Sequence, residues 1–217
     1  MTYTGNVTVG GRADVRELPG LVITKMAVGA MNNNTYLLRC TATDEQVLID
    51  AAAEPARILD LVGDGGLAAV VTTHAHHDHW GALAVVVAET SAATYAHRDD
   101  APDIGVATTN VLVDGDQVPV GIRRLRAIHL IGHTPGSVAL AYDDPDGPDH
   151  VFTGDSLFPG GVGRTTTPEN FAALLGGVVN RLFAAMSDET WIYPGHGKDT
   201  TLGAERPALA SWEERGW

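Results

Sequence analysis

A run of histidines around one aspartate carries the strongest chemical signal in this 217-residue chain. Residues 73–79 read Thr-His-Ala-His-His-Asp-His and directly follow a short apolar run. Residues two apart on an extended chain point the same way, so His74 and His76 are predicted to face one ion. Asp78 and His79, a little further round the turn, are predicted to face a neighbouring ion.

Three later segments each end a short apolar run with a histidine or a carboxylate beside a glycine or proline. The residues that end these runs are His133, Asp155 and His196. In open α/β sheets ligands gather where strands end, so these residues and the first cluster predict one convergent site. Five imidazoles and two carboxylates are more than one tetrahedral ion needs, since a catalytic zinc takes three protein ligands and a water. Two ions account for the set if Asp155 bridges them.

This donor set predicts a dinuclear metallohydrolase with two divalent metal ions. Nitrogen and carboxylate ligands without thiolate suit Zn, and also Fe or Mn. Two such ions, about 3.5–4 Å apart, hold and activate a bridging hydroxide. Besides its place among the ligands, Asp78 is predicted to orient this nucleophile, and Asp155 to act catalytically between the ions. The predicted metal ligands are His74, His76, Asp78, His79, His133, Asp155 and His196.

The pattern HxHxDH, followed by a His, an Asp and a His, resembles the metallo-β-lactamase superfamily. The resemblance covers essentially the whole chain, from Thr35 to His196. It implies an α/β fold, the four-layer αββα sandwich, with the metals at one edge of the two sheets. It also implies a division of the ligands into His74, His76 and His133 for the first metal, Asp78, His79 and His196 for the second, and Asp155 between them.

Within the superfamily, the segments 154–158 and 160–165 look like glyoxalase II and its small bacterial relatives, and 133–137 agrees with that branch. The resemblance implies hydrolysis of an acyl-thiol, a thioester. In the larger eukaryotic enzymes a Cys commonly lies at the position of Val162, and a C-terminal helical part supplies basic residues for glutathione. This chain has valine there and about twenty residues after His196, so glutathione is not implied as the thiol carrier.

Other activities stay open at this point. Iron persulfide dioxygenases share the fold, and in them a single iron is held by the equivalents of His74, His133 and Asp155. A lactonase has a compatible metal motif. Outside the enzymes, a metal-binding or flavoprotein-partner module is the alternative. A secreted β-lactamase is not expected, because residues 1–20 have no cationic start and no apolar stretch typical of a signal peptide.

The elements that must position these residues alternate between short apolar runs and helical patterns, which predicts a layered α/β protein. Helices are predicted over Pro55–Val62, Gly81–Ala88 and Pro168–Met186, the last with Thr167 as N-cap. Asp114-Gly115-Asp116 is predicted to be the turn of a β-hairpin. No linker is visible, so residues 1–217 are predicted to form a single domain. Predicted strands are Leu21–Met26, Tyr36–Leu38, Val47–Ile49, Ala69–Val71, Leu125–Ile131, Val138–Tyr142, Val151–Phe152 and Trp191–Tyr193.

Composition limits the partners. Lys and Arg number 14 against 27 Asp and Glu, a net charge of −13, which disfavours nucleic acid. No apolar run reaches the roughly 18 residues of a membrane span. A single cysteine, Cys40, forms no internal disulfide and is predicted to be a small core residue, so a cytoplasmic location is expected. A small-molecule substrate is therefore the expected partner, and the sequence predicts no oligomeric state.

Five further residues have side chains that could act in the site but are predicted to have other roles. His77 is predicted to point away from the ligands. His97 and His150 lie among charged residues and are predicted at the surface, whereas His129 is predicted to be in the core or behind the ligands. Arg164 is predicted to brace its glycine-rich loop.

Overall fold

The structure is a computed structural model that describes residues 2–216. The strands are β1 Asp14–Glu17, β2 Leu21–Val28, β3 Asn33–Cys40, β4 Gln46–Ile49, β5 Ala69–Val71, β6 Ala93–His97, β7 Asn110–Leu112, β8 Gln117–Val120, β9 Arg123–His129, β10 Val138–Tyr142, β11 His150–Gly154, β12 Leu157–Phe158, β13 Gly161–Val162, β14 Trp191–Pro194 and β15 Thr200–Thr201. The α-helices are α1 Pro55–Val62, α2 Leu83–Thr90, α3 Pro168–Val178, α4 Leu202–Glu205 and α5 Leu209–Arg215. None of the helices in residues 2–216 is long and apolar enough to cross a membrane.

Two mixed sheets form the centre of the molecule. The first has seven strands in the order β1-β2-β3-β4-β5-β6-β7, antiparallel up to β4 and parallel from β4 to β7. The second has six strands in the order β15-β14-β11-β10-β9-β8, in which only β11 and β14 pair in parallel. All eight predicted strands are confirmed as parts of these sheets.

The sheets and helices stack in four layers. One apolar core lies between the sheets and includes Leu38, Phe152 and the fully buried Cys40. A second core packs α1 and α2 on the outer face of the first sheet, and a third packs α3 and α5 on the outer face of the second. The predicted αββα sandwich is thereby confirmed, because each sheet buries both faces.

The turn Asp114-Gly115-Asp116 does not close a hairpin, so that prediction was wrong. β7 pairs with β6 in the first sheet, whereas β8 pairs with β9 in the second. The turn itself is tight: Gly115 has a φ of 83° and the Asp116 carboxylate accepts a hydrogen bond from Val113 N at 2.8 Å. It carries the chain from one sheet to the other, because turn chemistry bends the backbone without selecting the partner of each strand.

The predicted helices exist with shifted ends. The Thr167 side chain accepts a hydrogen bond from Asn170 N, which confirms the predicted N-cap of α3. α3 ends at Val178, and a π-helical turn over Val179–Phe183 continues it, short of the predicted end at Met186. The helix predicted to begin at Gly81 begins at Leu83, and α1 has the predicted bounds.

The ends of strands from both sheets meet at one edge. Asp50 follows β4, and residue 74 lies shortly after its parallel neighbour β5. Asp155 follows β11, and His196 lies just beyond its parallel neighbour β14. An isolated bridge between Asn33, at the start of β3, and His196 joins the two sheets there. Polar groups from distant parts of the chain therefore meet at this edge.

Candidate metal centre

The first predicted ligand group is three imidazoles in mutual contact. His74 Nε2 lies 3.1 Å from His76 Nδ1 and 3.2 Å from His133 Nε2. His74 is buried and His76 is exposed, so the group lies at the boundary between the protein interior and solvent. All three ligand atoms lie within 4.8 Å of one another, close enough to hold one ion.

The second predicted group is Asp78, His79 and His196. His79 Nε2 and His196 Nε2 are 3.2 Å apart, and Asp78 Oδ2 lies 3.4 Å from His196 Nε2 and 3.7 Å from His79 Nε2. Asn33 Nδ2 donates a 2.9 Å hydrogen bond to Asp78 Oδ2 and fixes that carboxylate. These three ligand atoms also lie within 4.8 Å of one another, so they form a second possible ion site.

Asp155 lies between the two groups. Its Oδ2 is 3.5 Å from His133 Nε2 in the first group and 3.5 Å from His196 Nε2 in the second. Its Oδ1 is buried, accepts no hydrogen bond from the described residues and lies 3.4 Å from His79 Nε2. Space for this carboxylate depends on Gly195, because a Cβ there would lie 2.3 Å from Asp155 Oδ1.

Three of the imidazoles donate their Nδ1 proton to a protein oxygen in a hydrogen bond. His133 Nδ1 donates to the Arg164 carbonyl at 2.7 Å, and His196 Nδ1 donates to the Met31 carbonyl at 3.0 Å. His79 Nδ1 donates to the Asp50 carboxylate at 2.7 Å. Carbonyl and carboxylate oxygens only accept, so each of these rings can present an Nε2 lone pair to the site.

His74 is held in the same way through one more residue. Thr73 Oγ1 donates to Asp50 Oδ2 at 2.8 Å, so the hydroxyl accepts from His74 Nδ1 at 3.1 Å. The Nε2 lone pairs of four imidazoles therefore point toward the Asp155 carboxylate, whose Oδ1 accepts no hydrogen bond from the described residues. Lone pairs 3.2 Å apart repel one another unless a cation lies between them. The chemistry of the donor set thus fits divalent metal ions.

The electrostatics of the site attract positive charge. Burial opposes protonation of His79, but the carboxylates of Asp50 and Asp155 raise its pKa to about 10. Burial would raise the pKa of Asp155, yet the imidazoles of His196 and His79 lower it well below its usual value. Burial and the neighbouring His79 lower the pKa of His74 well below its usual range. The site draws a proton onto a buried imidazole, and a metal ion would replace that proton.

The structure brings all seven predicted ligands together and adds partners that the sequence did not reveal. Asp50 and Asn33 hold His79 and Asp78, and Lys25, buried in β2, donates to the carbonyl of Gly197 beside His196 at 2.7 Å. Asp50 had a signal in the sequence, a carboxylate directly after an apolar strand. It adopts a left-handed conformation, with a φ of 57°.

Two predictions about other histidines were wrong. His97 and His150 were predicted at the surface, but each is only 2% exposed. His97 ends β6 and stacks on His129, with ring centroids 3.8 Å apart. His150 begins β11 and accepts or donates a 2.9 Å hydrogen bond at the Tyr193 hydroxyl. The charged sequence neighbours were misleading because Arg98, Asp99 and Asp149 lie in the loops that flank β6 and β11, whereas the two histidines lie in the strands themselves.

Two further predictions concern residues beside the site. His77 lies exposed against the ring of Trp80, outside both ligand groups, as predicted. The prediction for Arg164 needs a correction. Its backbone carbonyl braces His133, whereas its side chain is exposed and makes no hydrogen bond or ion pair within residues 2–216.

Comparisons with known proteins identify the family of this chain. A family model of the metallo-beta-lactamase superfamily matches residues 28–196. The probable metallo-hydrolase YqgX of Bacillus subtilis is 31% identical over 203 residues, which cover 84% of this chain and 93% of that protein. A hydroxyacylglutathione hydrolase of Chromohalobacter salexigens is 34% identical over 194 residues, which cover 88% of this chain and 71% of that protein.

A solved structure is similar as well. The crystal structure of TTHA1623 in a di-iron-bound form superimposes with a TM-score of 0.70 at 34% identity, covering 84% of this chain and 96% of that one. The family match spans most of the chain and includes all seven residues of the candidate centre. The chain therefore belongs to the metallo-β-lactamase superfamily.

Proposed function

We propose that this protein is a dinuclear metal-dependent hydrolase that cleaves a thioester. His74, His76 and His133 would hold the first ion, and Asp78, His79 and His196 would hold the second. Asp155 lies between the two groups. When bound, the two ions supply a hydroxide nucleophile at neutral pH and polarise the carbonyl of the substrate. Zinc suits these nitrogen and oxygen donors, and iron suits them equally.

Asp78 and Asp155 stay ionised at neutral pH and serve different roles. Burial would raise the pKa of Asp78, but the hydrogen bond from Asn33 and the charge of His79 lower it. Asp78 thus keeps an acceptor oxygen with which it orients the nucleophile. Asp155 contributes its negative charge between the two groups, where its Oδ2 is equally distant from His133 and His196.

Two grooves border the candidate centre, one beside each ligand group. One, of about 330 Å³, is lined by Met31, Asn33 and Asp78. The other, of about 580 Å³, is lined by Ile131 and His133, among other residues. Met31 and Ile131 expose apolar side chains there, 64% and 49% of their surface. A thioester fits with its acyl part in one groove and its thiol part in the other, the carbonyl lying at the centre.

The proposal of a thioester rests on one observation: four of the ligand histidines donate their Nδ1 proton to a protein oxygen. In His74, His79, His133 and His196 the Nδ1 proton is used in a hydrogen bond to an oxygen, and Nε2 would be bound to a metal ion. These four rings would therefore have no free proton for a leaving group. An amine leaving group needs such a proton. A thiolate does not, because its conjugate acid has a pKa near 8.5.

The relatives support the same reaction. One is described as a hydroxyacylglutathione hydrolase, which acts on a thioester of glutathione, and shares 34% of its residues with this chain over the matched length. A second, equally similar in sequence, binds two irons. The first resemblance supports hydrolysis of a small acyl-thiol, and the second supports a centre with two ions.

The test is a substrate panel with the metal-loaded protein. Thiol release is measured with an acyl-glutathione, an acyl-coenzyme A and a small thioester. Ring opening is measured with a lactone and a β-lactam. H76A, which lacks one ligand of the first group, is the control for metal dependence. We expect at least one thioester to be hydrolysed faster than the lactone and the β-lactam, and H76A to be inactive.

Two outcomes would overturn the proposal. Turnover of the lactone alone would assign a lactonase. Oxygen consumption with a persulfide, without thioester hydrolysis, would assign a dioxygenase with a single iron. The lactonase result would leave both ligand groups as described and change only the reaction. A single iron would overturn the two-ion centre as well as the reaction.

A further inference from the structure

A buried carboxylate outside the ligand set connects two segments of the metal centre. Asp100, only 1% exposed, lies in the segment after β6. Its Oδ2 accepts hydrogen bonds from Ala75 N at 2.8 Å and from Thr134 Oγ1 at 2.6 Å. Its Oδ1 accepts one from Gly136 N at 2.6 Å. Three neutral donors thus surround one carboxylate.

The three donors belong to the two segments that carry the first ligand group. Ala75 lies between His74 and His76, and Thr134 directly follows His133. Without Asp100, nothing else described in residues 2–216 makes a side-chain hydrogen bond to both segments. A backbone hydrogen bond from Val138 N to Thr73 O, at 2.9 Å, also joins the two stretches of chain. The Asp100 carboxylate adds the side-chain link between Ala75 on one side and Thr134 and Gly136 on the other, next to the imidazoles.

The loop after His133 is shaped for this contact. A Cβ at Gly136 would lie 2.6 Å from Asp100 N and 2.8 Å from Asp100 Cβ, so only glycine lets the two segments approach. His129 Nε2 donates to the Pro135 carbonyl at 2.8 Å and holds the same loop from its other side. The carboxylate thus binds a loop that His129 also holds.

We propose that Asp100 is a positioning residue for the ion held by His74, His76 and His133. The inference rests on the proposed metal centre but not on a thioester as substrate. Asp100 accepts no hydrogen bond from residues 77–79 or from His196. Its removal therefore weakens the first ion and leaves the second unchanged.

The substitution D100N tests this directly. Asparagine keeps the shape and one acceptor oxygen but turns an N–H group toward donors that need an acceptor. D103N is the matched control, because Asp103 is exposed and borders the same groove, and its carboxylate makes no hydrogen bond within residues 2–216. Zn²⁺ binding to the full chain is measured by competition with a chromophoric chelator, which gives two dissociation constants.

We expect D100N to weaken one of the two constants by about 10- to 100-fold, the range found when a partner of a metal ligand is lost. D103N should match the wild type. To assign the weakened ion, D100N is combined with H196A, which leaves the first group intact, and with H133A, which leaves the second. The loss should appear with H196A and be absent with H133A.

The outcomes separate the two proposals. Wild-type protein that binds no zinc would overturn the metal centre itself. If both Zn²⁺ dissociation constants are the same in D100N as in the wild type, only the positioning role is overturned. The same holds if D100N raises both constants by the same factor. If D100N does not fold, T134V decides, because it removes one donor to Asp100 and keeps the carboxylate. It should weaken the same ion to a smaller extent, and unchanged constants would refute the role.

Discussion

The Asp50 carboxylate lies 2.7 Å from Nδ1 of His79, and both side chains are almost fully buried. The same carboxylate accepts hydrogen bonds from the backbone N–H and the hydroxyl of Thr73, the residue before His74. One side chain at the end of β4 therefore sets the orientation of imidazoles in both ligand groups. Carboxylates in this position raise the basicity of the histidine and fix its tautomer.

The first prediction concerns this contact. D50N replaces an acceptor by an amide that can turn a donor toward His79, so we expect metal affinity to fall by about 10- to 100-fold. Chelator competition with Zn²⁺ measures the change. D60N, at an exposed aspartate on α1, is the control. Wild-type affinity in D50N would show that the contact is dispensable.

The second prediction separates two adjacent histidines. His76 faces His74, whereas His77 lies outside both groups. H76A should lose bound metal and reduce kcat/KM by more than about 100-fold, more than the loss of an indirect partner. Both side chains are exposed, so the unfolding free energy of the chelated protein should change by only about 0.5 kcal/mol in either variant. An H77A enzyme as inactive as H76A would contradict the assignment.

The third prediction concerns the glycine that makes room for Asp155. A Cβ at residue 195 would lie 2.3 Å from Asp155 Oδ1 and 2.6 Å from His79 Cε1. G195A should displace the carboxylate, weaken metal binding at least about tenfold and cost about 1–3 kcal/mol of unfolding free energy. G176A, where no atom lies within 4 Å of the added methyl group, should be neutral or slightly stabilising. Two ions bound at wild-type affinity in G195A would count against the geometry.

The fourth prediction concerns pH. Burial and the nearby Arg16 lower the pKa of His150 to about 4, against about 6.5 in an unfolded chain. Between these values the unfolded chain binds a proton that the folded protein excludes, so stability is full above pH 6.5 and falls as the pH drops toward 4.

Urea unfolding at pH 7 and pH 5 measures this effect. The wild type should lose on the order of 2 kcal/mol more than H150Q between these two pH values. The comparison with H150Q removes the contribution of all other histidines. An identical loss in both proteins would show that His150 is not the group that titrates.

Some of these relationships were predictable from the sequence. Apolar runs located the eight main strands, and strand ends located the ligands, because both signals are local. The pairing of β7 and β8 was not local, and the turn between them gave no sign that they lie in different sheets. The burial of His97 and His150 depends on ring neighbours contributed by other strands.

The residues behind the ligands were the hardest to predict. Asp100 binds groups 25 to 36 residues away in the chain, two of them backbone N–H groups, which carry no side-chain signature. Asp50 reaches His79 across 29 residues. Such contacts emerge only when the sheets bring strand ends together. The ligands themselves cluster in sequence or end strands. Asp50 also ends a strand, but only its contacts in the folded chain distinguish it as a support, and the same holds for Asp100.

The central claim is that this centre would hold two ions, with Asp155 between the two ligand groups. Elemental analysis for Zn, Fe and Mn, on protein purified without a chelator, tests it most directly. We predict close to two ions per chain in the wild type and fewer in D155A, which should remain folded. One iron per chain with no zinc or manganese, or two ions retained in D155A, would contradict the bridged centre.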